Sequence, residues 1–197
     1  LGGIAFAPSF ATGSPRAKPI EKDKLKIKET MSTITNLQEL YVEQLKDLYN
    51  AETQLIKALP KMAKAAQAEE LKMAFTNHLA ETEEHAEKVK SVLEGLEEKA
   101  SGKKCAAMEG LVKEGKETIS EKAAPEVKDA ALIAAAQRVE HYEIAGYGTV
   151  RTYAELLGRK QDARILQSIL EQEGTADKKL TGIAEELNVE AMEEALV

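Results

Sequence analysis

Glu81 is followed four residues later by His85, and Glu173 is followed four residues later by Asp177. On a helix, side chains at that spacing share one face and can address a common centre. Glu52 and Glu143 add two more carboxylates at positions flanked by apolar residues. Carboxylates and imidazoles are ligand types that suit iron and manganese. Gathered without a cation, the same groups would repel one another or hold protons. A dinuclear metal site is the leading account of them. A buried layer of protonated, hydrogen-bonded acids is the alternative.

Most of the 34 acidic residues read as solvated, among them Glu83, Glu84 and Glu87. The proposed ligands resist that assignment because they interrupt apolar stripes. Glu52 lies four residues after Leu48 and three before Leu55. Glu143 shares a face with Leu132, Ala136, Tyr147 and Val150. Glu173 and Asp177 lie among Leu166, Ile169, Leu170, Leu180 and Ala184. His78, Thr82 and His85 continue a stripe that runs on through Val89, with Glu81 beside them. A carboxylate left unpaired in such a place costs several kcal/mol. The metal-ligand set read from the pattern is therefore Glu52, Glu81, His85, Glu143, Glu173 and Asp177. Glu140, one turn from Glu143, is a ligand or supports one. Tyr49 and Tyr147 stand about one turn from a proposed ligand and can hydrogen-bond it or carry an electron. His78 joins these supporting residues. His141 points about 200° away from Glu143 around the helix and suits a structural contact.

The elements that must position these groups are all helical. The long segments are rich in Ala, Leu, Glu and Lys, which are strong helix formers. No alternating run of β-branched residues is long enough for a strand. A first helix starts at Asn36, where Asn36 and Glu39 form a capping box. Leu37, Leu40, Tyr41, Leu48, Leu55, Leu59 and Met62 recur along it. Pro60 should kink this helix rather than end it, since the pattern resumes in KMAKAA. A weakly marked break falls near 66–69. A second helix runs from about Glu70 to Glu98, and a short one from about Cys105 to Ile119. Pro125 opens a fourth that stops at Leu157-Gly158. A fifth spans about Gln161 to Leu187, and the acidic tail VEAMEEALV either extends it or frays. Four long helices with one short helix in a long middle connection make a four-helix bundle with one crossover, the ferritin-like arrangement.

The heights of the acids agree with that plan. The midpoint between Glu52 and Glu81 falls in the first turn, and that between Glu143 and Glu173 falls at Gly158. Each pair stands about 15 residues, or roughly 22 Å, from its turn. The usual di-metal bundle places one Glu on each of two helices and Glu-x-x-His on the other two. This chain departs from it, with i+4 spacing and an Asp in place of one His.

Composition narrows the function classes. The chain has 197 residues, enough for one domain, with 43% hydrophobic residues and no Trp. A net charge of -7 argues against non-specific nucleic-acid binding. The single cysteine, Cys105, cannot form an intrachain disulfide and fits a reducing, cytoplasmic setting. No apolar run approaches a membrane span. Residues 1–30 mix Gly, Pro, Ser and Lys without period and read as a flexible extension, with Met31 as a natural start and 31–197 as the domain. A partial secretory remnant is the alternative for that extension. Gly146-Tyr147-Gly148 lies within a helix with no strand before it, so it is not a phosphate loop. Its glycines suit close helix packing. With the alanines from Ala130 to Ala136, they suit a homodimer face or the internal core. No nucleophilic triad is legible.

The segments LYNAETQLIKALPKMA, FTNHLAETEEHAEKV, CAAMEGLVKEG, KDAALIAAAQRVEHYEIAGYGT and LEQEGTADKKLT resemble the bacterial ferritin-like stress proteins of the YciF/YciE type. The likeness covers about residues 36–187. It implies a rubrerythrin-like helical bundle, a dimer and a di-metal site. Glu52, Glu81, Glu143, Glu173 and Asp177 match acidic positions of that family's pattern. The resemblance supplies no defined reaction. The leading expectation is a soluble di-iron or di-manganese oxidoreductase acting on dioxygen or peroxide in stress defence. Iron binding or storage without turnover, and a metal-free helical interaction module, are the alternatives.

Overall fold

The computed structural model describes residues 33–194. The expected extension at 1–30 lies outside them. Five helices follow in order: α1 Leu37–Ala65, α2 Glu69–Glu94, α3 Ala106–Ser120, α4 Pro125–Leu156 and α5 Lys160–Glu194. No strand occurs among the described residues. The side chain of Asn36 accepts from the Glu39 N–H at 2.9 Å, and Glu39 reaches back to the Thr35 N–H at 2.7 Å. α1 continues through Pro60 without a break. α2 ends four residues earlier than its composition suggested. Gly95 caps it, and Glu97 adopts a left-handed φ of 58°. Gly158 turns the chain between α4 and α5 with φ 72°, a conformation glycine tolerates without strain. No stop signal follows Leu187, and α5 runs on into the acidic tail as far as Glu194.

The turn between α1 and α2 has no glycine or proline, and Ala68, the N-cap of α2, has no capping side chain. Its partner comes from elsewhere in the chain. Asp129 in the first turns of α4 is buried and accepts from the Gln67 N–H at 2.8 Å and the Ala68 N–H at 2.7 Å. A carboxylate there satisfies orphan amides and favours the positive end of the α2 dipole.

α1 and α2 form one antiparallel hairpin and α4 and α5 the other, with α1 against α4 and α2 against α5. α3 lies across α1 and α4. Its start is pinned to α1, since the Cys105 N–H donates to Asn50 Oδ1 at 2.8 Å and Gln54 Nε2 donates to the Cys105 carbonyl at 3.0 Å. Cys105 Sγ lies 2.9 Å from the Tyr142 hydroxyl, which donates to Asp47. Gly146 lets α4 approach α1 closely. A Cβ there would stand 2.7 Å from a methyl of Leu48, so this glycine serves the intramolecular core.

The core divides into two apolar clusters. One, toward the α1–α2 turn, includes Leu55, Met62, Phe75, Leu132 and Leu180. The other, toward the α4–α5 turn, includes Leu45, Leu48, Val89, Tyr147 and Ile169. The layer between them is polar.

Asp129→Ala is expected to destabilise the protein by about 1–3 kcal/mol, because two part-buried amides lose a charged acceptor. Urea denaturation checks this. A change below about 0.5 kcal/mol would mean the turn closes without it.

Candidate metal centre

Between the two apolar clusters, six ionisable side chains converge. Glu52 comes from α1, His78 and His85 from α2, Glu140 and Glu143 from α4, and Glu173 from α5. All six are buried. They form two overlapping groups whose ligating atoms lie within 4.8 Å of one another: His78, Glu140, Glu143 and Glu173, and then Glu52, His85 and Glu173. Glu173 belongs to both and joins them.

The helix register explains the convergence. Residues seven apart are about 20° short of two full turns, so His78 and His85 stand on one line of α2. Glu140 and Glu143, three apart, are neighbours on one face of α4. Each imidazole presents one nitrogen inward and engages the other outside the cluster. His78 Nδ1 lies 3.3 Å from Glu81 Oε2, while its Nε2 lies 3.3 Å from Glu140 Oε1 and 3.8 Å from Glu173 Oε2. His85 Nε2 lies 3.3 Å from Gln172 Oε1, while its Nδ1 lies 2.9 Å from Glu173 Oε1 and 3.7 Å from Glu52 Oε1. Glu81 and the Gln172 amide oxygen can only accept, so they hold an N–H outward, and each ring in its neutral form leaves a lone pair facing the cluster. The Tyr147 hydroxyl donates to Glu52.

The inner atoms lack hydrogen bonds. Among the described residues, ten buried side-chain nitrogen and oxygen atoms have no hydrogen-bond partner. Eight belong to this cluster, including His78 Nε2, His85 Nδ1 and both oxygens of Glu143 and of Glu173. Buried polar atoms without partners are rare in folded proteins. Their concentration at one point, all of ligand type, fits a metal pair. Four carboxylates would balance two divalent cations with both imidazoles neutral.

The metal-free cluster compensates with protons. Burial pushes the Glu52 carboxyl well above its usual range, and Glu173 adds repulsion. Burial does the same to Glu143, reinforced by Glu52 and Glu173. Glu140 is raised to about 8, chiefly by burial, although His78 opposes the rise. Burial works against a charge on His78. The hydrogen bond to Glu81 and the field of Glu140, Glu173 and Glu52 together outweigh it and raise His78 to about 9.

Of the ligands expected from sequence, Glu52, His85, Glu143 and Glu173 lie in the cluster. Glu81 and Asp177 do not. Glu81 is half exposed and engages the outer nitrogen of His78. Asp177 accepts from Gln137 Nε2 at 3.2 Å and lies 3.4 Å from His141 Nε2, near the surface. The reason is angular: a residue four along from an inward-facing position is rotated about 40° off the line. His78, read as a supporting residue, and Glu140, read as a ligand or a support for one, supply inward-facing atoms instead. Tyr147 touches Glu52, whereas Tyr49 packs against the apolar cluster toward the α4–α5 turn.

Residues 36–193 match the family described as Domain of unknown function (DUF892). The chain is 47% identical over 149 residues to protein YciF of Escherichia coli strain K12, spanning 75% of this chain and 90% of that protein. The crystal structure of that stress protein superposes with a TM-score of 0.76 at 45% identity, over 78% of this chain and 98% of that one. YcfI from Rhodopseudomonas palustris superposes with a TM-score of 0.74 at 43% identity, over 77% and 96%. A dodecameric thioferritin from Bacteroides fragilis, a bacterioferritin-related protein, superposes with a TM-score of 0.62 at 15% identity, over 82% and 92%. At that identity the likeness is one of fold alone, and the fold is a ferritin-like bundle with a crossover.

The shifts have one sign. Glu52, Glu140 and Glu143 hold their protons more tightly folded than unfolded, so their support for the fold is complete below the ordinary 4.5 and declines as pH rises. For Glu140 that support is gone above about 8. His78 behaves alike between 6.5 and about 9. The metal-free protein is therefore expected to lose several degrees of melting temperature between about pH 5 and pH 9, read by circular dichroism. A melting temperature that rises across that interval would contradict protonated acids in the folded layer.

Proposed function

The chain belongs to the DUF892 family, and from that premise and the buried cluster together we propose that it is a di-metal protein, binding iron or manganese, that acts on dioxygen or peroxide under stress. The single observation that supports this most is the set of eight unpartnered ligand atoms on six convergent side chains. The stress context rests on the likeness to the E. coli stress protein.

His78, Glu140, Glu143 and Glu173 would hold one cation, and Glu52, His85 and Glu173 the other. Such a pair, when bound, would supply electrons to dioxygen or peroxide. The chain's own contribution is positional. Glu173 keeps the two groups together. Glu81 and Gln172 fix the imidazole orientations. Tyr147 donates a hydrogen bond that steadies Glu52, and its proton is held firmly because burial and Glu52 push its pKa well up. The apolar clusters above and below exclude water along the bundle axis, which strengthens every charge interaction inside.

A homodimer and a cytoplasmic location belong to the same proposal and draw on the family likeness. No helix among the described residues is long and apolar enough to cross a membrane. Sedimentation at micromolar concentration separates a dimer from a monomer.

Protein prepared without a metal-binding tag is expected to carry about two iron or manganese ions per chain and to melt higher with metal than without. Glu143→Gln should remove most of that metal-dependent gain. It should leave the metal-free form as stable as before or more so, because repulsion is relieved. Glu87→Gln, at an exposed position, should change neither state. Strong destabilisation of the metal-free form by Glu143→Gln, with metal content intact, would make Glu143 a structural acid. Peroxide consumption by the loaded protein tests turnover, and its absence with metal bound would leave binding or storage.

A further inference from the structure

The cluster is sheltered on most sides. Apolar packing closes it above and below, and α3 covers the α1–α4 seam, with Leu111, Val112 and Ile119 packed on the core. The opposite seam, between α2 and α5, is different. It carries a groove of about 480 Å³ whose floor is His78 and Glu140 of the cluster. Glu81, Glu171, Gln172 and Lys179 stand on its walls.

Ligating atoms run inward through this groove without a gap. The half-exposed Glu81 carboxylate lies 3.3 Å from the His78 ring, and the other nitrogen of that ring lies 3.3 Å from Glu140. His78 is only 7% exposed, and its inner nitrogen has no hydrogen-bond partner. An ion entering a buried site must shed water, and a series of replacement ligands lowers the cost of each step. The cationic Lys179 acts on Glu81 through its field and opposes the approach of a positive solute.

We propose that the groove between α2 and α5 is the route by which a divalent cation reaches the buried cluster, with Glu81 receiving it at the mouth and Lys179 restraining its entry. This rests on the di-metal function proposed above and adds the path, the charge class of the solute and the groups that set its rate.

The test is the rate at which metal-free protein takes up Co²⁺, followed by its visible absorption in a stopped-flow instrument at low salt. Lys179→Glu should speed uptake about fivefold, an effect that fades at about 0.5 M salt. Lys61→Glu makes the same charge change in the cleft between α1 and α3, on the opposite face, and should leave the rate within about twofold. Glu81→Gln should slow uptake about fivefold or more. Ala176→Phe, which fills the groove, should slow it about tenfold while the final number of bound Co²⁺ ions stays the same. Equal acceleration by both lysine variants, or rates indifferent to Ala176→Phe and Glu81→Gln, would overturn the route while equilibrium binding keeps the metal function standing. Failure of the parent protein to bind Co²⁺ at equilibrium would remove both.

Discussion

Charge balance in a dry layer is the constraint on which the rest of this molecule depends. Four carboxylates and two imidazoles occupy the middle of a bundle whose neighbouring layers are leucine, isoleucine, valine and methionine. Solvent comes near them only where His78 and Glu140 line the α2–α5 groove, and among the described residues their carboxylates pair with the two histidines and with no lysine or arginine. Only protons or cations can neutralise them. Much of the surrounding structure follows from that requirement. Glu81 and Gln172 hold both histidines in the orientation that offers a lone pair inward, and Tyr147 gives Glu52 its one hydrogen bond. Two hairpins of matched height bring the acids to one level.

The asymmetry of the bundle is equally a matter of position. α3 crosses the α1–α4 seam and is tied to α1 through Asn50 and Gln54, so one flank of the centre is roofed. Among the described residues no helix crosses the opposite flank, and its floor is made by His78 and Glu140. A crossover that closes one seam and spares the other gives the centre a front and a back. Members of the same family with the same crossover are expected to share that polarity.

Much of the fold was legible in the sequence, because each long helix has its own apolar period and some ends carry recognisable signals, such as Asn36, Pro125 and Gly158. The acids that interrupt those stripes were legible for the same reason: Glu52, Glu143 and Glu173 sit where a leucine would otherwise be expected. That His78 rather than Glu81 faces the cluster was not. Both lie within about one turn of the right height, and height cannot resolve a rotation of some 60° about the helix axis. The i+7 spacing of His78 and His85 carried that information. Asp129 was invisible for another reason. Its partners, the amides of Gln67 and Ala68, are about sixty residues away in sequence, so no local pattern announces the cap.

That distant cap has a consequence for how the chain can be divided. The α1–α2 hairpin holds its own helices and its own share of the clustered side chains, yet its turn is closed by a side chain of the other hairpin. Cut from the protein, it would keep two helix-forming segments and lose the carboxylate that satisfies the amides joining them. The two halves look like modules in sequence, but the turn of one is completed by a side chain of the other. At the end of the bundle far from the α4–α5 turn, one acidic residue adds a polar tie between the hairpins to the apolar cluster beneath it.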